Sequence, residues 1–335
     1  MLEERAERWL AMQADLGRAR NTILAYRRAL HDYLEFCTEQ EVQSHKATRE
    51  HIALYIRSLT DHPVSRRGGQ PADAPSSGLA NATLRQRLTV IRLYHDYLME
   101  EGIRPDNPVG RGRYTQRGGF GSTRPRGLVP YYTTLPWIPN EQEWRAILEA
   151  ASVGSMRNRL MLALAYDAGL RREELCSLAT GDLDPAHRLL HVRAETTKGR
   201  RARVVPYSVP TGALLSAYLA RRRMLTRERG PLFVSESRRN LAQPITIWTW
   251  SKVVRALARH CDLPRLGTHT FRHLCLTDLA RAGWELHEIA TFAGHRSTNT
   301  TLLYIHLSGR ELSAKLARAA SLHGERMAQV AQALG

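Results

Sequence analysis

The chain has 335 residues, room for two domains of ordinary size, and its 43% hydrophobic content excludes disorder of the whole. Lys plus Arg number 49 against 32 Asp plus Glu, a formal net charge of +17. Such a surplus points to a polyanionic partner, nucleic acid first, although a genome-wide arginine habit would raise the charge in the same way. No apolar run approaches the ~20 residues of a membrane span, and MLEERAERWL lacks the apolar stretch of a signal peptide. The expected location is therefore cytoplasmic. Cys37, Cys176, Cys261 and Cys275 are dispersed with no CxxC pair, which gives neither a disulfide framework nor a cysteine zinc site.

In chain order, the first elements read as helices. From Asn21, apolar residues recur at Ile23, Tyr26, Leu30, Tyr33, Leu34 and Cys37 with helical spacing. A second helix is predicted from about Ala82 to Glu101, with Leu84, Leu88, Ile91, His95 and Leu98 on one face and Gly102 past its end. Arg85, Arg87 and Arg92 project from its other faces. Between these helices, the Pro, Gly and Ser content of 61–78 predicts a long loop. A compact helical domain over 1–107 follows. Residues 108–138 carry five arginines, six glycines and no acid, with no helical or strand period, and read as a basic linker.

The second domain, 139–335, opens on a capping box, Asn140 with Glu143. RLMLALAYDAG at 159–169 is apolar nearly all round, as a buried helix is. Residues 188–208 alternate at Leu190, Val192 and Ala194, turn at Lys198–Gly199 and return through Val204 and Val205, which predicts a β-hairpin. Helical patterns follow at about 210–226, 245–261, 268–282, 285–293, 298–307 and 310–321. The fold class is mainly α with a small β-sheet. No phosphate loop of the GxGxxG or GxxxxGK[ST] type occurs.

Four segments hold polar residues that a helix-and-hairpin core does not need: DAGLRREEL (167–175), ETTKGRRAR (195–203), THTFRHLCL (268–276) and AGHRSTNTTLLYIH (293–306). Taken singly, each has a plain structural reading. Arg171 can pair with Glu173 or Glu174 on a helix, Tyr304 can be a half-buried core tyrosine, and His295 can sit at a helix end for dipole reasons. His269 and His273 stand at i and i+4, as zinc ligands do, yet Thr270 occupies the place where a zincin has Glu.

Together, and in this order, the four blocks resemble the tyrosine recombinase (phage integrase) family. That family shows a G-L-R-x-x-E-L block, a hairpin lysine, H-x-x-R, and G-H followed nine residues later by tyrosine. Here these positions are Arg171, Lys198, His269 with Arg272, His295 and Tyr304. The resemblance implies that Arg171 and Arg272 hold the phosphate, His269 assists proton transfer, His295 hydrogen-bonds the scissile phosphate, Tyr304 is the nucleophile and Glu174 orients the first arginine. Bidentate guanidinium contacts suit phosphate oxygens, and tyrosine supplies an attacking oxygen.

Lys198 has support of its own. Only Lys46, Lys198, Lys252 and Lys315 interrupt the use of arginine, and arginine does not readily give up a proton near neutral pH. A lysine kept at the hairpin tip suits a general acid for the leaving oxygen.

The resemblance further implies a C-shaped clamp on duplex DNA, built from a helical, SAM-like core-binding domain and a catalytic domain with a helical tail at about 308–335. It implies site-specific recombination through a 3′-phosphotyrosyl intermediate, with no metal or nucleotide cofactor, by homotetramers on two DNA sites. Exchange of the C-terminal helix around Leu312, Leu316, Ala319, Met327 and Val330 is expected, or its packing in cis. Arg85, Arg87, Arg92, Arg200, Arg201 and Arg203 are expected to grip DNA. The other functions weighed are a DNA-binding regulator with an idle site and a type IB topoisomerase or hairpin-forming relative. Ala293 departs from the more usual Leu before Gly-His, and the loop 61–78 and linker 108–138 are long for the family.

Overall fold

A computed structural model describes residues 3–61, 79, 81–109, 128–129, 135–197 and 200–307, with 324, 326, 328 and 330–333 near the end. The chain divides into two compact units, 1–134 and 135–335.

In the first unit four helices enclose an aromatic core: α1 (Glu4–Asp15), α2 (Arg20–Glu39), α3 (Arg49–Asp61) and α4 (Asn81–Glu100). On α2, the spacing places Leu30, Tyr33, Leu34 and Cys37 inside, and on α4 it does the same for Leu84, Leu88, Ile91, His95 and Leu98. Trp9 of α1 stacks on Tyr26 at 5.5 Å and meets the edge relation with Tyr94 at 5.9 Å. The expected helices do not include α1 or α3, although their buried residues, Ala6, Trp9, Leu10 and Gln13 on α1 and Ile52 and Tyr55 on α3, fall at helical spacing.

His95 belongs on the apolar face for a polar reason. Its Nε2 lies 3.0 Å from the Tyr33 hydroxyl, and its Nδ1 lies 2.8 Å from Arg104 Nη1. Arginine only donates, so Nδ1 accepts and Nε2–H faces Tyr33. Burial pushes the imidazole pKa down to about 3 and keeps it neutral, so the ring occupies the core as a hydrogen-bonded, uncharged group.

The second unit begins with α5 (Glu141–Ser152), whose predicted capping box is formed: Asn140 Oδ1 accepts from Glu143 N at 2.9 Å, and Glu143 Oε2 accepts from Asn140 N at 2.7 Å. Then come α6 (Met156–Asp167), the five-residue α7 (Arg172–Cys176), and strands β1 (Leu183–Asp184), β2 (Leu189–Val192) and β3 (Arg203–Pro206). Helices α8 (Val209–Arg223), α9 (Ile247–His260), α10 (Thr270–Arg281), α11 (Leu286–Ala293) and α12 (Asn299–Leu307) complete it. As the apolar run on 159–169 requires, α6 is central, burying Leu160, Met161, Leu162, Leu164 and Ala165. Around it pack Tyr218, Phe233, Trp250, Phe271 and Leu276.

The sheet is antiparallel in the order β1-β2-β3. The hairpin has the expected strands, but with a sharper face than the apolar residues suggest. Leu190 opposes Val205 and Val192 opposes Arg203, so Arg203 shares the inner face with Val205, while Val204 is 50% exposed. Ala194 does not extend β2, because residues 194–196 coil into a 3₁₀ turn. The two-residue β1 and the short α7 are too brief to leave a periodic signal.

Residues 62–78, most of the 108–138 linker, Lys198–Gly199 and the 310–321 helical pattern lie outside the described residues. Among the described residues, no helix is long and apolar enough to cross a membrane.

Candidate active site

Two helix ends build the site. Past α6, Gly169 takes φ +55° and turns its carbonyl toward α10, where Arg272 Nη1 donates to it. A Cβ on Gly169 would meet Phe292 Cε1 at 3.1 Å, so both the backbone angle and the space demand glycine. At the end of α11, Gly294 takes φ +64°, and the next amide, His295 N, bonds back to Ala290 O at 2.9 Å. This reversal exposes two carbonyls. Ala293 O accepts from Arg272 Nη2 at 2.6 Å, and Gly294 O accepts from Arg171 Nη2 at 3.2 Å. Helix C-terminal carbonyls carry partial negative charge, which suits cations held out of water. The use of Ala293 is through its backbone, so replacement of the usual leucine leaves this contact intact.

Glu174 ties the arginines together. It is 1% exposed and accepts from Arg171 Nη1 at 2.7 Å, Arg203 Nη2 at 2.8 Å and Arg203 Nη1 at 3.1 Å. The Arg171 amide adds a bond of 2.9 Å. Burial alone would raise the carboxyl's pKa; hydrogen bonding and charge from Arg203, then Arg171, outweigh it and hold Glu174 at about 2.

Arg203 therefore needs correcting from the expected DNA-gripping set. Its side chain is only 7% exposed, and its guanidinium is committed to Glu174 and, through Nε, to Phe292 O at 2.9 Å. The alternation of β3 turns it inward, beside Val205. Arg87 also has a partner inside the protein, Asp32 at 2.6 Å. Arg85 and Arg92 are half-buried on α4, and Arg200 and Arg201 are exposed beyond the hairpin turn. Lys198 lies outside the described residues. Just before it, Thr197 Oγ1 donates to Ala194 O at 2.9 Å and accepts from Arg201 N at 3.0 Å.

Arg272 is 3% exposed. Burial, then the charge of Arg171, lowers its pKa to about 10, which leaves it cationic at neutral pH. Two guanidiniums, Arg171 and Arg203, pair with one carboxylate, and Arg272 lies near enough to feel the charge of all three. The cluster is thus short of negative charge.

Beside this cluster stand three histidines and a tyrosine. His295 Nε2 lies 3.0 Å from Arg272 Nη2, and its Nδ1 lies 2.9 Å from Thr301 Oγ1. Because arginine only donates, Nε2 is the acceptor and Nδ1–H faces Thr301. Both ring nitrogens are thus engaged within the protein. Burial, then Arg272 and Arg171, pushes the His295 pKa down to about 3. The Tyr304 ring stacks on His295 at 6.0 Å and 8°.

Tyr304 is 3% exposed, and its hydroxyl lies 3.0 Å from His273 Nδ1. Burial raises the phenol's pKa, with Arg272 and Arg171 pulling against it. His269, just before α10, also has its pKa lowered by burial; its carbonyl accepts from His273 N at 2.9 Å, but its ring does not cap the helix. Its ring centroid is 6.3 Å from that of His273. Neither histidine belongs to the donor group that could converge on an ion among the described residues, which is His31, Asp32 and Glu35.

The geometry thus brings together Arg171, Glu174, Arg272, His295 and Tyr304, with His269 nearby. It adds three residues that sequence reasoning did not place there: Arg203, His273 and Thr301. For His273 the signal was the i,i+4 spacing in HTFRH, which weighed only toward zinc. Gly294→Ala is expected to cost about 1–2 kcal/mol from its left-handed backbone alone. Its Cβ would also meet Arg203 Cδ at 3.1 Å. Urea unfolding of the variant checks the first effect, and an added loss of strand cleavage checks the second.

Comparison with known proteins agrees with this architecture. Residues 139–311 match the phage integrase family, and residues 6–102 match the phage integrase N-terminal SAM-like domain. The tyrosine recombinase XerC of Mycobacterium leprae (strain TN) is 30% identical over 249 residues, covering 71% of this chain and 76% of that protein. XerC of Mycobacterium sp. (strain KMS) is 27% identical over 317 residues, covering 92% and 94%. Among solved structures, the XerH site-specific recombinase bound to a palindromic difH substrate, in a post-cleavage complex, shares the fold with a TM-score of 0.65. It is 19% identical, covering 89% of this chain and 79% of that one. The chain belongs to the tyrosine recombinase (phage integrase) family.

Proposed function

We propose that the protein, a site-specific DNA recombinase by family, cuts and rejoins duplex DNA through Tyr304. The observation that carries this reading is a buried tyrosine hydroxyl that feels the charge of two guanidiniums, Arg272 and Arg171, the first bonded to buried carbonyls and the second to Glu174. Arg171 and Arg272 receive the non-bridging oxygens of one phosphodiester and stabilise the charge that builds as Tyr304 attacks phosphorus. The 3′ side of the break stays on Tyr304 and the 5′ oxygen leaves, protonated by Lys198. The new phosphotyrosyl bond retains the energy of the phosphodiester, so resealing needs no nucleotide and no metal. His269 assists proton transfer, and His295, bonded to Arg272 and Thr301, supports the phosphate through its hold on Arg272.

Residues 1–107 form the companion DNA-binding domain and 108–138 the linker, with Arg85, Arg92, Arg200 and Arg201 on phosphate. The reaction runs in the cytoplasm, in a homotetramer on two sites, with the segment after Tyr304 exchanged between protomers.

A nicked suicide DNA site tests the chemistry. The wild-type protein is expected to give a protein–DNA adduct that survives denaturation and forms equally in chelator. Tyr304→Phe is expected to give none, and an adduct from that variant would refute the nucleophile. Lys198→Ala is expected to cleave slowly, with recovery on a 5′-thio leaving group that needs no proton. Exchange of strands between two intact sites separates recombination from nicking and resealing alone.

A further inference from the structure

We propose that His273 is a catalytic residue of the cleavage step, the acceptor of the Tyr304 hydroxyl proton. The inference rests on the reading of Tyr304 as the nucleophile. It is reached by asking which nitrogen in the site can take that proton.

His295 presents its ring face to the phenol, stacked at 8°, and both its nitrogens are spent, one on Arg272 and one on Thr301. The hydroxyl's hydrogen-bond partner is His273 Nδ1 and not the His269 ring, which lies one turn back along the chain. His273 Nδ1 stands 3.0 Å from the hydroxyl, within proton-transfer reach. Its place is fixed by its neighbour. Arg272 pins α10 to the ends of α6 and α11, and the next residue along the helix meets α12 where Tyr304 emerges.

The charged and titratable groups facing His273 are His269 and Arg272 on its own helix, Tyr304 on α12, and His295 after α11. Burial, then His269 and Arg272, holds its pKa at about 4, so at neutral pH the ring keeps a lone pair. With the ring proton on Nε2, that lone pair lies on Nδ1.

In the forward step, a Tyr304 Oη lone pair bonds to phosphorus while the Oη proton passes to His273 Nδ1. The P–O5′ bond breaks and its electrons stay on O5′, which takes a proton from Lys198. In resealing, the O5′ hydroxyl returns its proton to Lys198 and attacks phosphorus. The P–Oη bond then breaks, and His273 gives its proton back to Tyr304.

The test is single-turnover cleavage of the nicked suicide site by the full chain. His273→Gln keeps a polar group of similar size but has no basic nitrogen. It is expected to bind DNA as the wild type does in a mobility-shift assay and to form adduct about 100-fold or more slowly. His273→Ala, shown folded by circular dichroism, is expected to recover part of its rate with added imidazole, in proportion to the free base as pH is raised.

A wild-type rate in His273→Gln overturns the proposal. A faster rate overturns it as well, and shows the bond to be a restraint on Tyr304. Failure of imidazole to help the folded alanine variant has the same force. Tyr304→Phe, run alongside, separates the two readings: adduct from that variant removes the nucleophile itself. Loss of adduct there, with full activity in His273→Gln, removes His273 alone.

Discussion

Glu174→Gln is expected to cost the catalytic unit about 3 kcal/mol of stability at pH 7 and almost nothing as pH approaches 2. The carboxyl's pKa is about 2 in the folded protein against an ordinary 4.5, a depression of about 2.5 units. At about 1.36 kcal/mol per unit, this agrees with the ~3–5 kcal/mol typical of removing one partner of a buried ion pair. The sign follows from the depression. A lowered carboxylate pKa stabilises the fold fully above the unfolded value, near pH 4.5, and that contribution drains away as pH falls toward 2. Protonated Glu174 then has the shape and charge of the glutamine that replaces it, so the two proteins converge. Urea unfolding of both at pH 7, 5, 4 and 3 reads the effect. A difference that stays constant over that range would show that the loss comes from packing rather than from charge.

The same carboxylate explains what sequence could and could not disclose. Arg171 and Glu174 were legible twice, as an i,i+3 ion pair and as part of a G-L-R-x-x-E-L block, and the ion pair exists at 2.7 Å. Arg203 was misjudged because charge in a basic hairpin suggests an outward face. The deciding information was register, which places position 203 on the same side as Val205 and opposite Val192. Pairing sets that register, and composition does not carry it.

Gly169 and Gly294 were visible as motif letters, yet their purpose was not. Each closes a helix so that a carbonyl from its turn meets a guanidinium 103 or 123 residues away. His273 and Thr301 escaped for a related reason. His273 acts on a tyrosine 31 residues away across a helix interface, and Thr301, six residues from His295, meets it only because the chain turns between α11 and α12. The long periodic helices α2, α4 and α6 needed no such information, because burial of one stripe or of all sides is written in the spacing itself.

Arg272→Lys is expected to slow adduct formation by about 100–1000-fold while leaving DNA affinity within a few-fold of wild type. Affinity survives because Arg272 is one cation among many, and phosphate grip is shared over the surface. Rate does not, because Arg272 does two things at once that an ammonium cannot. Its fork reaches Gly169 O, Ala293 O and His295 Nε2 together, which fixes the guanidinium plane at the junction of three helices. In the proposed reaction, the charge thereby meets the phosphate already oriented, with no reorganisation left for the moment of reaction.

A lysine in the same space satisfies one acceptor with certainty and leaves buried carbonyls unpaired, each worth ~1–3 kcal/mol if left so. It also frees His295 Nε2 from its arginine, so that the ring stacked on Tyr304 is no longer held from both sides. Single-turnover cleavage with saturating protein, beside a mobility-shift titration, separates the two quantities. Retention of the wild-type cleavage rate by Arg272→Lys would mean that a positive charge alone suffices there, and that the three-acceptor frame serves the fold rather than the chemistry. A large rate loss at unchanged affinity would place the frame in the reaction itself, as charge held in position for the transition state.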